Sequence, residues 1–123
     1  MKRLIAALGF TLLASPAFAG LTVLSTAAAS DEGNEVTCNA TNVSPTKSFD
    51  IFITIFGQAG TEEGTQAFMA VAPGHTVALS EGMIVDNVRC VFEFSESSKL
   101  VRADMEVTQL TSIGDLSVVL PAS

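Results

Sequence analysis

The chain has 123 residues, 48% of them hydrophobic, with 13 acidic and 6 basic side chains, a net charge of −7 and neither Trp nor Tyr. The length suits one domain, and the apolar content excludes a disordered chain. The acidic balance excludes nucleic-acid binding, which needs a basic face to displace counterions from phosphates, and disfavours adhesion to anionic lipid head groups.

Met1, Lys2 and Arg3 form a positive segment, and Leu4 to Ala14 follows as an uncharged, largely apolar run of eleven residues. Ser15-Pro16 interrupts that run, and Ala17-Phe18-Ala19 supplies a small-x-small triplet. This is the pattern of a cleavable secretory signal, whose peptidase accepts only small side chains at those two positions. The run is too short for a membrane span, which needs roughly 17–25 residues. Residues 1–19 are therefore expected to be removed, leaving 20–123 as a single exported domain with no stable membrane insertion. Ala27-Ala28-Ala29 offers a second cleavage point, and the apolar stretch from Leu21 to Ala29 leaves an uncleaved anchor as an alternative. Lys-Arg directly after Met points to bacterial export, into a periplasm or out of the cell. Loss of Lys2 and Arg3 takes the net charge from −7 to −9.

Beyond the signal, the pattern has period two, the mark of half-buried strands. Alternating runs are centred on Val36-Cys38-Ala40, Phe49-Ile51-Ile53-Ile55, Ala67-Met69-Val71, Val77-Leu79, Val88-Cys90-Phe92-Phe94, Val101-Ala103-Met105-Val107 and Leu116-Val118-Leu120. Turn formers separate them: Asp31 to Asn34, Ser44-Pro45, Gly57 to Gly64, Pro73-Gly74, Glu81-Gly82, Ser95 to Ser98 and Gly114-Asp115. Turns recurring about every 8–12 residues between short strands predict an all-β sandwich of about seven or eight antiparallel strands. A jelly roll or a small open barrel is the alternative.

Cys38 and Cys90 are the two cysteines, and exported chains with a small even count pair them. Each shares the phase of its strand's apolar residues, so both are expected to point into the core. A bridge between facing sheets is an immunoglobulin-like arrangement. The core Trp of true immunoglobulin domains is missing, Phe49 to Phe52 lying in that region, and Val88 stands at the Tyr position, so the likeness is to an architecture.

If Phe49, Ile51, Ile53 and Ile55 face inward, Phe52 and Phe56 face outward, with Val91 on the same side if its strand is adjacent. An exposed apolar patch marks a contact surface, so Phe52, Phe56 and Val91 form the candidate interface, unless a covering segment or a bulge intervenes.

Metal binding is the second reading. Asp31, Glu32, Asn34 and Glu35 crowd one loop and Glu62-Glu63 another, where calcium would find oxygen ligands, although the spacing departs from the EF-hand loop. His75 with Met69, Met83 or Met105 would suit copper(I). A small hydrolase is the third. Asp104 and Glu106 share one strand face about 7 Å apart, but the predicted face is open to solvent, with Arg102 beside them as an ion partner. No nucleophile elbow is present and the bridge consumes both thiols, so neither a catalytic residue nor a cofactor is assigned. Asn39-Ala40-Thr41 and Asn42-Val43-Ser44 match the glycosylation sequon by chance if export is bacterial. The expected function is a non-catalytic interaction or structural module contacting a protein or cell-surface partner, with Leu116-Val118-Leu120 also suited to pairing with a neighbour's edge.

Overall fold

The segment from Phe49 to Phe56 is strongly apolar, and its β-branched and aromatic side chains suit a pleated surface packed on one face. In the computed structural model it is a central strand with Phe49, Ile51, Ile53 and Ile55 buried and Phe52 turned outward. The structure describes residues 21–30, 35–82, 87–111 and 114–123. The signal segment 1–19 therefore lies outside the described residues, as do Asp31, Glu32, Asn34 and Met83.

Among the described residues nine strands follow in chain order: β1 (Thr22–Ser25), β2 (Ala29–Ser30), β3 (Glu35–Asn42), β4 (Phe49–Phe56), β5 (Glu62–Val71), β6 (Thr76–Gly82), β7 (Asn87–Phe94), β8 (Val101–Thr111) and β9 (Gly114–Pro121). One sheet has the order β1-β7-β4-β5, with β2 also paired to β7, and the other has the order β6-β3-β8-β9. All pairings are antiparallel. The two sheets stack face to face as a β-sandwich and do not close into a barrel.

The core lies between the sheets, with Val36, Cys38, Ala40, Ile51, Ile53, Ile55, Phe92, Phe94 and Met105 among its buried residues. Phe49 and Phe94 stack with centroids 6.2 Å apart and supply aromatic packing in a core without Trp or Tyr. Cys38 on β3 and Cys90 on β7 are bridged from one sheet to the other, with Cα atoms 5.8 Å apart. The inward phase of both cysteines, legible as period two, makes that crossing possible.

The stretch Leu21 to Ala29, whose apolar character left an anchor open, instead supplies β1 and β2 to the edge of β7. Buried Thr26 joins the two. Its backbone N–H donates to the Cys90 carbonyl at 3.0 Å and its Oγ1 accepts from the Cys90 N–H at 3.0 Å. β5 also begins earlier than its alternation suggests, at Glu62, because pairing with β4 extends through Gly64 to Glu62.

Candidate functional site

The outward side chains of the β1-β7-β4-β5 sheet stand in cross-strand rows fixed by register. One row runs Val23, Glu93, Phe52, Ala67; the next runs Ser25, Val91, Thr54, Thr65; the third pairs Arg89 with Phe56 and Phe56 with Glu62. Phe52, Phe56 and Val91 thus share one face, as their phases require, but their environments differ. Phe52 is 39% exposed and Val23 is 53% exposed, whereas Val91 is 9% exposed.

Two side chains account for that difference. The Arg89 guanidinium lies 5.1 Å from the centroid of the Phe56 ring and donates to Ser25 Oγ at 3.3 Å. It therefore spans from β4 to β1 past Val91, half-burying Phe56 beneath a cation–π contact. Thr54 is buried in the same row and shares a hydroxyl hydrogen bond of 3.1 Å with Thr65. Val91 and Thr54 are buried, so the exposed apolar surface is the row through Val23, Phe52 and Ala67, interrupted by Glu93. The expected enlargement of the patch by Val91 is not found. Val23 was hidden from sequence reasoning inside the tail of the signal-like stretch, although β-branched Thr22, Val23 and Thr26 were a strand signal.

A cleft of about 210 Å³ opens beside this face, with Phe56, Gln58, Asn87, Val88 and Arg89 among its walls. It is small, and its one charged wall is the guanidinium that stacks on Phe56.

The other candidate residues are dispersed. His75 sits exposed in the β5–β6 turn, its N–H bonded to the Ala72 carbonyl and its own carbonyl accepting from Asn42, while Met105 is fully buried in the core. Met69 is exposed on β5. The copper(I) combination of His75 with Met105 is therefore not assembled. Among the described residues no group of three or more His, Cys, Asp or Glu side chains is placed to hold a metal ion. Asp104 accepts a 3.0 Å hydrogen bond from Asn39 Nδ2. The expected ion pairing of Arg102 with Asp104 or Glu106 does not form, since Arg102 lies exposed across from Thr41. The ion pair among the described residues is Lys47 with Glu96, at 3.2 Å. The sequon residues are engaged in the fold, Asn39 with Asp104 and Asn42 in a buried network.

No family model matches the chain, and no curated protein matches it. Among solved structures it is similar to the one titled Crystal Structure of Thermotoga maritima 1070. The two share 8% sequence identity over 82% of this chain and 91% of that one, with a TM-score of 0.59. At that identity the likeness shows the fold alone. The class defined by fold and bridge is a small disulfide-linked β-sandwich.

Proposed function

We propose that this protein is an exported, non-catalytic binding module that holds another protein of the cell envelope against the outer face of the β1-β7-β4-β5 sheet. The observation that carries this reading is the row Val23, Phe52 and Ala67, an apolar strip left open to solvent on a face where Val91 and Thr54 are buried and Phe56 is half-covered by Arg89. Glu93 within the row would set polarity and register for the partner, as charged residues do within apolar contact surfaces. Export is supported by the signal-like residues 1–19 and by the inter-sheet disulfide, which persists in oxidising compartments. Among the described residues no helix is long and apolar enough to cross a membrane.

The test is a double substitution, Val23→Ser with Phe52→Ser. A photo-crosslinkable residue at Ala67 reports contact in envelope extracts. The folded fraction and melting temperature should stay close to those of the parent, since both side chains are already exposed, and crosslinking to the partner should disappear. A crosslinked partner that persists undiminished in the double variant would remove this face from consideration.

A further inference from the structure

We infer that β9 is a self-association edge, along which a second copy of this chain pairs antiparallel through its own β9. The inference rests on the opposite sheet from the proposed binding face and is independent of it.

Among the described residues, β1 with the two-residue β2, then β5, β6 and β9 border the sheets, and all but β9 are short or blunted in ways that oppose pairing. β5 carries Glu62 and Glu63 and a register shift near Asp50, where Ala70 takes a φ of 50°. β6 turns Glu81 inward opposite buried Val36, and its carboxylate lies against Gly64 of β5, with Oε1 2.7 Å from where a Cβ on that glycine would stand. β1 is only four residues long, and Ser25 at its end exchanges two backbone hydrogen bonds with Ser123 at 3.1 and 3.3 Å.

Among the described residues, β9 carries such devices only towards its ends, at Asp115 and Pro121, and residues 117–120 between them carry none. It is eight residues long and, among the described residues, pairs with β8 alone. Val118 and Val119 are consecutive and so point to opposite faces, yet they are 60% and 56% exposed. Leu120 and Ala122 still pack against the core, so the strand runs off the sandwich as it is followed back towards Gly114. The Ala122 N–H donates to the Ala103 carbonyl of β8, which fixes the alternation. Residues in phase with Pro121, namely Ser117 and Val119, direct their N–H groups away from β8, and proline closes the row where that N–H is dispensable.

Charge and pattern select the occupant. The chain carries −7 overall, but Gly114–Pro121 contains one ionisable residue, Asp115. A second copy therefore meets little like charge along this edge. A strand added to this edge must be nearly uncharged along its middle, and residues 117–120 of β9 itself meet that requirement. An antiparallel pairing about a two-fold axis near Val118 sets the two Val118 residues opposite each other, Val119 opposite Ser117, and Asp115 opposite Pro121 rather than a second Asp115. The result is a continuous eight-stranded sheet across two copies, an isologous contact of the kind that closes at a dimer.

The experiment is sedimentation velocity on the chain as its host processes it, from about 1 µM to about 1 mM, the affinity range of small interfaces. The expected result is a monomer at the low end and a dimer at the high end, with the dimer favoured by added salt as like charges are screened. Val119→Pro removes an outward N–H without touching the β8 ladder, and Val119→Lys places a charge on the edge. Each should stay monomeric throughout with an unchanged melting temperature, and if the proline variant does not fold, the lysine variant decides. A parent chain that is monomeric over the whole range overturns the inference, as does a dimer that survives Val119→Lys. A dimer dissolved by Phe52→Ser and not by Val119→Lys would also overturn it, and would move self-association to the outer face of the other sheet.

Discussion

Asn42 is fully buried at the end of β3, and its amide is engaged on both sides. Nδ2 donates to the Lys47 carbonyl at 2.7 Å and to the Val71 carbonyl at 2.9 Å, while Oδ1 accepts from the Ser44 N–H at 2.9 Å. One side chain thus ties the β3–β4 connection to the end of β5. A carboxylate cannot donate to the two carbonyls, so Asn42→Asp would leave two acceptors facing a buried charge. The expected loss is about 2–4 kcal/mol, from buried groups deprived of partners, read as a lower urea midpoint. Ala70 offers the opposite case. Its φ of 50° is left-handed, and its N–H is held by Asp50 Oδ1 at 2.7 Å. A non-glycine residue there costs about 1–2 kcal/mol, so Ala70→Gly should stabilise the fold by about 0.5–1 kcal/mol once the extra freedom of glycine in the unfolded chain is subtracted. Denaturant unfolding at matched slope measures it.

At the scale of elements, the burial of each strand follows its position more than its composition. β4 and β7 sit inside the first sheet and are covered on their inner face, whereas β5 and β9 are edge strands with exposed apolar residues. The phase of Phe52 was readable from alternation, but its consequence depended on neighbours. Next to β7, Phe56 met Arg89 and was half-buried, while Phe52 met Glu93 and stayed open. The Val23→Ser, Phe52→Ser and Val119→Lys predictions belong here, because each alters an element's outer surface without entering the core. Each is expected to change association while leaving the melting temperature within a few degrees.

For the whole molecule, the Cys38–Cys90 bridge is a side-chain cross-link between the two sheets, spanning 52 positions in the chain. A loop of that length is stabilised by about 4 kcal/mol in the chain-entropy account, and removal of a native bridge from a small secreted domain costs about 2–5 kcal/mol. Against the 5–15 kcal/mol typical of a domain, the bridge is a large share. Cys38→Ala with Cys90→Ala should lower the unfolding free energy by at least about 3 kcal/mol in denaturant titrations. A variant with unchanged stability would show that the hydrophobic core alone holds the sheets together.

The sequence by itself determined the strands from β3 onward, the inward phase of both cysteines and the outward phase of Phe52, because side-chain direction in a strand alternates with a local period of two. It also determined the acidic balance and the signal-like first 19 residues, both properties of residue order alone. The strand order, the recruitment of Leu21 to Ser30 beside β7, the burial of Val91 and the place of β9 at a sheet edge were decided only by tertiary structure. Each depends on which strand lies next to which, and on what the opposite sheet covers. Those are contacts between residues far apart in the chain, and local alternation carries no record of them.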